Sequence, residues 1–211
     1  MKIKFKKYWR KSSLKKKDDG NFLLNHVLEN KPKSFLEIGV FHGVTSRNIC
    51  ELLKKIHGDN FKFIGIDIFG KDIDVSKDEF IPQTKFSNPL KSFYFNYIIR
   101  LDPYSEKSVL NLLDKFKKNI NIIKGNSNNV LKEINLNEID YVFLDGGHKY
   151  ETVKADLDIL KKVVINKGVL LCDDYNLTYA PGVKKAIDEY VDSNKFNLRI
   201  LNQRFAEITK L

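Results

Sequence analysis

Acidic side chains follow three of the apolar runs in this chain. Asp67 ends one run, Asp145 ends another, and Asp173 and Asp174 follow a third. Because the carboxyl ends of parallel strands share one edge of a sheet, we expect these carboxylates to converge there. Three carboxylates repel unless a cation joins them, and oxygen ligands in that number suit Mg²⁺, Ca²⁺ or Mn²⁺. We predict a hard divalent metal held by Asp145, Asp173 and Asp174; alternatively, one or two of them cap the helices that follow.

A histidine lies close to this predicted metal site. His148 comes three residues after Asp145 in the sequence DGGHKYE, where two glycines form a flexible turn. A histidine at the mouth of a site can act as a general base near neutral pH. The residues leave two alternatives open for His148, a hydrogen-bonded loop histidine or a metal ligand.

A glycine-containing turn precedes these residues in the chain. In SFLEIGVFHGVTS, an apolar run leads to Gly39 and Gly43, and an amphipathic segment follows. We expect Gly39 to let the chain turn sharply and Gly43 to let a ligand approach the backbone. The turn would bring a carboxylate or phosphate to the free N–H groups of the next helix. Asp67, 24 residues beyond Gly43, is placed to accept hydrogen bonds from a ribose; the alternative is a solvated aspartate.

The elements that would position these residues alternate between strands and helices. Helical spacing of apolar residues predicts helices over 20–30, 44–58, 105–118 and 150–164, and from residue 181 onward. Predicted strands cover 34–39, 61–66, 120–124, 139–144, 168–172, 197–201 and 205–209. This pattern predicts an α/β fold, with a Rossmann-like, seven-stranded, mostly parallel sheet, helices on both faces and an antiparallel C-terminal hairpin strand.

The length and charge of the chain indicate how it is divided into a domain and an extension. We predict one domain over residues 20–211, with an insertion at about 69–104 that forms either a substrate lid or an elaboration at the sheet edge. The formal net charge is +10, and much of the excess lies in a basic N-terminal extension, residues 1–19. That extension is interpreted either as an arm that contacts acidic lipid or an acidic partner, or as a solvated segment.

The remaining composition narrows the class of protein. No apolar run approaches the roughly 20 residues that a membrane-spanning helix needs, so we expect no membrane span. Cys50 and Cys172 fall in a predicted helix and a predicted strand, which indicates buried, reduced thiols and a cytoplasmic location. The oligomeric state is left open, a homo-oligomer included.

Two motifs carry a resemblance to a known family. The loop EIGVFHGVT matches an E-x-G-x-x-x-G-x-[ST] pattern, and IDYVFLDGGHKYETVKADLDIL is followed by GVLLCDDY. From about residue 21 to its end, the chain resembles the class I S-adenosylmethionine-dependent methyltransferases. More narrowly, it is similar to the metal-dependent O-methyltransferases of the catechol and macrocin types. The loop lacks the G-x-G-x-x-G spacing of a nicotinamide-binding fingerprint, which disfavours an oxidoreductase.

The resemblance implies a role for each matching residue. Residues of the first glycine loop would bind the methionine end of the cofactor, Asp67 would bind its ribose, and Asn126 and Ser127 would flank its adenine. With Asp145, the predicted cofactor-binding residues are Glu37, Gly39, Gly43, Thr45, Ser46, Asp67, Asn126, Ser127 and Asp145. Asn126 stands where the family often has aspartate. Asp145, Asp173 and Asp174 would bind Mg²⁺, and Asp145 also belongs to the catalytic set with His148, which falls where the catechol branch has a lysine base.

The implied activity is methyl transfer from S-adenosylmethionine to a hydroxyl group, with a divalent metal lowering the pKa of that hydroxyl. A sugar or glycosylated metabolite is the expected small-molecule acceptor, by family branch. A nucleic-acid-modifying methyltransferase is the alternative that the net charge suggests, although the chain lacks an appended RNA-binding domain and we do not expect a nucleic-acid partner. The third hypothesis is a non-catalytic member that binds the cofactor or a partner.

Overall fold

A central seven-stranded sheet organises the computed structural model, which describes residues 4–14, 16–70 and 86–211. The strand order is β3-β2-β1-β4-β5-β7-β6. The strands are β1 (Ser34–Ile38), β2 (Lys62–Asp67), β3 (Ile120–Lys124), β4 (Tyr141–Leu144), β5 (Val169–Cys172), β6 (Asn197–Leu201) and β7 (Phe205–Thr209). The first five are parallel, whereas β7 runs antiparallel to β5 and β6. The predicted fold class is therefore confirmed.

Seven α-helices accompany the sheet in the described residues. They are α1 (Lys17–Asn30), α2 (Val44–His57), α3 (Pro89–Phe93), α4 (Glu106–Leu113), α5 (Ser127–Val130), α6 (Tyr150–Ile165) and α7 (Pro181–Asn194). The predicted helix over 105–118 is shorter than expected, because the chain tightens into a 3₁₀ turn at Asp114–Phe116 before it enters β3. A π-helical segment, Tyr94–Ile99, lies within the predicted insertion.

The helices cover both faces of the sheet because side chains alternate along its buried strands. Phe35 and Tyr141 belong to a core shared with α1, α2 and α4, whereas Leu36 and Val142 belong to a core shared with α6 and α7. The rings of Phe35 and Tyr141 stack across neighbouring strands with centroids 4.9 Å apart. With both faces covered, the open edge at the carboxyl ends of the parallel strands is where polar residues accumulate.

The N-terminal residues pack against the domain. Phe5 and Leu14 are buried in the core on the α1 side of the sheet, and the ring of Phe5 covers Gly20. Arg10 is also buried and donates hydrogen bonds to the carbonyl groups of His42, Pro103 and Ser108. For residues 4–14, the interpretation of a solvated extension is therefore wrong.

The predicted insertion is only partly described, because residues 71–85 lie outside the described part of the chain. In its remainder, Phe95 is buried, whereas Phe93 and Tyr97 are exposed. The interpretation of residues 69–104 as a substrate lid stays a prediction. Among the described residues, no helix combines the length and apolar character required to cross a bilayer.

Candidate active site

The turn after β1 brings the ends of two strands together. Gly39 has a φ angle of +94°, and a Cβ atom at this position would lie 1.9 Å from the carbonyl oxygen of Asp145. Its N–H group donates to the carbonyl of Ile66, at 2.9 Å. Only glycine allows this combination of backbone conformation and close approach. Gly39 therefore makes the predicted sharp turn and sets β1 directly against the end of β4.

Gly43 meets a different neighbour from the one we expected. Its φ angle is +72°, and it forms the N-cap of α2. A Cβ atom there would lie 3.0 Å from a methyl group of Val109, on α4. A ligand at the backbone of Gly43 stays a prediction, and the close approach observed at this glycine is made by α4.

The first turn of α2 lies beside a buried carboxylate. Glu37, on β1, is fully buried, and its Oε2 accepts a hydrogen bond from the hydroxyl of Ser46. Burial raises the pKa of Glu37 to about 8. Within the described residues, Oε1 of Glu37 has no hydrogen-bond partner. Ser46 is itself fully buried and donates to Glu37, and the contact of Thr45 or Ser46 with a cofactor carboxylate stays a prediction.

Asp67 ends β2 in a cage of hydrogen-bond donors. Its Oδ2 accepts from the N–H of Phe41 at 2.7 Å. Its Oδ1 accepts from the N–H of Phe69 and the hydroxyl of Tyr104, both at 2.9 Å. Asp67 is buried, and that burial raises its pKa despite these bonds. The alternative of a solvated aspartate at the end of a strand is therefore wrong.

The residues predicted to flank the adenine lie at the start of α5. Asn126 is exposed, and its side chain caps α5 by accepting from the N–H of Asn128 at 3.0 Å. The hydroxyl of Ser127 donates to the buried carboxylate of Asp156, on α6, at 2.9 Å. Ser127 thus joins two helices, and its contact with adenine stays a prediction.

The three aspartates predicted to bind a metal do meet at the carboxyl edge; we call Asp145, Asp173 and Asp174 the acid cluster. Asp145 is partly buried and accepts a hydrogen bond from the hydroxyl of Ser13 at 2.6 Å. Burial, and then the charges of Asp173 and Asp174, raise the pKa of Asp145 well above its ordinary value. Asp174 adopts a φ angle of +61°, and its N–H donates to Oδ1 of Asp173 at 2.7 Å.

An arginine that we did not predict supplies the positive charge for the acid cluster. Arg204 lies in the short connection between β6 and β7. Its Nε donates to Oδ1 of Asp173, and its Nη2 donates to Oδ2 of Asp173 at 2.6 Å and to Oδ1 of Asp174 at 3.2 Å. From the sequence we predicted only a hairpin connection at Asn202-Gln203-Arg204. The one hint of a partner for the aspartates was the presence of an arginine in that connection.

The predicted metal does not fit the acid cluster in this arrangement. Asp173 uses both carboxylate oxygens for Arg204, and Asp174 divides its two oxygens between Arg204 and His148. Within residues 4–14, 16–70 and 86–211, no three His, Cys, Asp or Glu side chains are grouped so as to hold a metal ion. A divalent cation would therefore compete with the guanidinium of Arg204 for the same oxygens.

His148 joins the acid cluster through Asp174. Its Nε2 lies 2.8 Å from Oδ2 of Asp174, and its ring centroid lies 6.2 Å from that of Tyr179. The hydroxyl of Tyr179 lies 3.5 Å from both oxygens of the same carboxylate. A carboxylate that accepts from one imidazole nitrogen fixes the orientation of the ring. His148 is thus a positioned loop histidine at the acid cluster.

Several known proteins share this architecture. The O-methyltransferase NovP superposes with a TM-score of 0.64 at 18% identity, over 92% of this chain and 78% of NovP. A Podospora anserina methyltransferase, PaMTH1, solved with S-adenosylhomocysteine (SAH), superposes with a TM-score of 0.60 at 17% identity, over 94% of this chain and 80% of PaMTH1. The calicheamicin methyltransferase CalS11 superposes with a TM-score of 0.62 at 16% identity, over 91% of this chain and 78% of CalS11. At these identities the likeness shows a shared fold.

Sequence similarity identifies the family. The uncharacterized protein R132 of Acanthamoeba polyphaga mimivirus is 26% identical over 178 residues, which make up 79% of this chain and 66% of that relative. The chain thus spans slightly less than two thirds of the length of this curated relative. A family model described as a methyltransferase domain matches residues 36–175, from β1 through the acid cluster. The chain therefore belongs to the methyltransferase-domain family, and the class I S-adenosylmethionine-dependent methyltransferase predicted from its motifs is confirmed.

Proposed function

We propose that this chain transfers the methyl group of S-adenosylmethionine to a hydroxyl group of a small molecule, with His148 as the general base. The observation that carries the proposal is the hydrogen bond between His148 and Asp174, 2.8 Å long. This bond supports the proposal because it orients the imidazole at the edge of the sheet where the turn after β1 also ends, since Gly39 contacts the backbone of Asp145. The proposed donor site and the proposed proton acceptor would thus share one edge.

The donor side offers groups that suit S-adenosylmethionine. No described side chain caps the N-terminus of α2, so its first N–H groups, including that of Thr45, can bind the methionine carboxylate. Among the described residues Oε1 of Glu37 has no hydrogen-bond partner, so this buried atom can pair with a polar group of the cofactor. Asp67 is positioned for the ribose if the ribose hydroxyls replace the hydroxyl of Tyr104 on Oδ1. The cofactor supplies an electrophilic methyl group, so the protein has mainly to align donor and acceptor.

His148 would handle the proton of the acceptor. A neutral imidazole that donates from Nε2 to Asp174 carries its lone pair on Nδ1. Because Nδ1 is buried, the acceptor hydroxyl has to displace the groups that cover this nitrogen before Nδ1 can take the hydroxyl proton. Asp174 then stabilises the imidazolium that forms, as a carboxylate does for a catalytic histidine. Removing the proton leaves the oxygen nucleophilic as it attacks the methyl group.

Metal assistance, which the sequence predicted, is left out of this mechanism. The oxygens of Asp173 and Asp174 that would ligate Mg²⁺ already accept from Arg204 and His148. Asp145 is offered as a catalytic and cofactor-side residue, because its backbone contacts Gly39 and its carboxylate lies in the acid cluster. No step of the proposed reaction passes through a divalent cation.

A sugar or glycosylated metabolite is the acceptor class we propose. One structural relative, CalS11, is described as a TDP-rhamnose 3'-O-methyltransferase. In this chain, a cavity of about 460 Å³ is lined by the segment that follows Asp174 in sequence and by α7, but by no residue of the acid cluster; its polar lining includes Tyr175, Thr178, Lys184 and Asp188. Such hydroxyl, ammonium and carboxylate groups match the hydroxyls of a sugar. The two free cysteines, Cys50 and Cys172, are buried, which supports the predicted cytoplasmic location.

Replacing His148 tests the proposed chemistry. Calorimetry first measures the binding of SAH to the wild-type chain. SAH formation is then followed over a panel of TDP-sugars and glycosylated phenols. We expect His148→Ala to lower kcat by roughly 10²–10⁴-fold, to leave the Kd for SAH within about twofold because the change removes no cofactor contact, and to abolish the acid limb of the pH–rate profile.

His57→Ala is the matched control. In the described part of the chain, the ring of His57 forms hydrogen bonds with the carbonyl groups of Lys31 and Pro32, which directly follow α1. This variant should match the wild type in both rate and SAH affinity. Turnover with an unchanged pH–rate profile in His148→Ala would exclude His148 as the base. If the wild type fails to bind SAH, the donor assignment itself is overturned.

A further inference from the structure

We infer that Arg204 is the resident cation of the acid cluster, and that its guanidinium takes the place predicted for a divalent metal. This inference concerns the site of the proposed reaction, but it is tested by metal binding and does not depend on turnover. It assigns a positioning role to a residue outside the two family motifs.

The contacts of Arg204 form a fork around two carboxylates. Nε and Nη2 donate to the two oxygens of Asp173, which is the bidentate geometry that makes arginine a strong carboxylate partner. Nη2 also reaches Oδ1 of Asp174 at 3.2 Å. A cation bound in the cluster would need these same oxygens, so Arg204 and a metal exclude each other there.

Arg204 is held from the opposite side as well. Its Nη1 lies 3.3 Å from Oδ2 of Asp19, on α1. Its backbone N–H donates to the carbonyl of Leu201, and its carbonyl accepts from the N–H of Tyr175. The side chain of Arg204 is 14% exposed, while that of Asp173 is 1% exposed. Withdrawing the guanidinium would leave a carboxylate charge buried without its partner, which is costly.

Arg204 also acts on the base through a shared carboxylate. Asp174 accepts from Arg204 on Oδ1 and pairs with His148 on Oδ2. The guanidinium thus fixes the carboxylate that orients the imidazole. A guanidinium at this position supplies one positive charge and a rigid set of donors, whereas a metal would supply two charges and open coordination positions.

Mn²⁺ binding to the full chain tests the inference. The signal of free Mn²⁺ in electron paramagnetic resonance is titrated against wild type, Arg204→Met and Arg204→Lys after treatment with EDTA. We expect the wild type and Arg204→Lys to bind Mn²⁺ weakly. Arg204→Met should bind it at least about tenfold more tightly, because a unit charge a few ångströms from the ion is removed. Mn²⁺ should also raise the Tm of Arg204→Met alone.

The matched control is Arg199→Met. Arg199 lies in the same hairpin and pairs with Glu207 at 2.7 Å, outside the acid cluster, so this variant should bind Mn²⁺ as weakly as the wild type. Equal, tight Mn²⁺ binding by wild type and Arg204→Met would overturn the inference. If Arg204→Met does not fold, the wild type still decides the question, because tight binding there contradicts a resident guanidinium and weak binding shared with Arg204→Lys supports it. SAH binding, measured separately, reports on the proposed function.

Discussion

The two sides of the candidate active site are built in different ways. On the donor side, formed by the turn after β1, α2 and the end of β2, the carboxylates are bound by neutral donors: Ser46 donates to Glu37, and Phe41, Phe69 and Tyr104 donate to Asp67. On the acceptor side, formed by the acid cluster and His148, the partners include a charged guanidinium. Arg204 reaches Asp173 across 31 residues, and Ser13 reaches Asp145 across 132.

The two sides differ in their electrostatics. The donor side satisfies single carboxylates with neutral N–H and O–H groups, and burial raises the pKa values of Glu37 and Asp67. The acceptor side gathers three carboxylates, which requires a positive charge nearby. Arg204 supplies that charge, and the charges of Asp173 and Asp174 raise the pKa of Arg204 even though burial alone would lower it. The donor side thus pairs its carboxylates with neutral donors, and the acceptor side gathers its carboxylates around a guanidinium.

The geometry of Gly39 gives the largest expected effect. In Gly39→Ala, the new methyl group would overlap the carbonyl oxygen of Asp145, 1.9 Å away, where the two sides meet. We expect a loss of at least about 5 kcal/mol in the free energy of unfolding, or failure to fold. The control is Gly58→Ala, which also has a positive φ angle but has no atom within 4 Å and should lose only about 1–2 kcal/mol. Urea unfolding measures both, and equal losses would contradict the close approach.

The burial of Glu37 predicts a pH dependence of stability. Above the ordinary carboxyl pKa the unfolded chain ionises, while native Glu37 stays protonated up to its pKa of about 8. Stability should therefore fall as the pH rises from about 5 to about 8, by roughly 4 kcal/mol, because each pH unit between the two pKa values costs about 1.4 kcal/mol. Glu37→Gln should remove this part of the slope, and exposed Glu29→Gln should not. Urea unfolding at several pH values checks it; identical slopes in all three proteins would refute the prediction.

The cage around Asp67 predicts a smaller effect on cofactor binding. Asp67→Asn keeps the shape of the side chain, but its amide N–H₂ group would face donors that bind a carboxylate oxygen in the wild type. We expect SAH binding to weaken by about 1.5–3 kcal/mol, because a hydrogen bond to a charged acceptor is lost. Calorimetry measures the change. Asp59→Asn, which alters an exposed partner of Lys54, serves as the control; a variant of Asp67 with wild-type affinity would remove this residue from the donor side.

The contact between Ser13 and Asp145 gives the smallest expected effect. Ser13→Ala removes the 2.6 Å hydrogen bond that fastens the N-terminal residues to the acid cluster. We expect a loss of about 0.5–1.5 kcal/mol, the usual net value of one hydrogen bond. Ser12→Ala is the control, because the hydroxyl of Ser12 accepts a local hydrogen bond from the N–H of Leu14. It tests whether losing a nearby serine hydroxyl lowers stability as much as losing the contact with Asp145. Urea unfolding compares the two, and a larger loss in Ser12→Ala would show that the remote contact contributes little.

The sequence by itself determined the order and type of the elements and the edge at which the acids meet. Apolar runs such as the one now seen in β4 are local patterns, and a residue that directly follows a parallel strand lies at the carboxyl edge whatever its neighbours are. For this reason the sequence alone was enough to place Asp67, Asp145, Asp173 and Asp174 at that edge. The sharp turn at Gly39 was predictable on the same local grounds.

Only the tertiary structure decided which groups these acids contact. Gly43 faces Val109, and Arg204 returns from a hairpin to pair with Asp173. The physical reason is that local periodicity determines on which face of a helix or strand a side chain lies. The group that this side chain contacts depends on how segments distant in sequence pack together. The sequence showed that the acid cluster needs a cation; the fold decided that a guanidinium lies there.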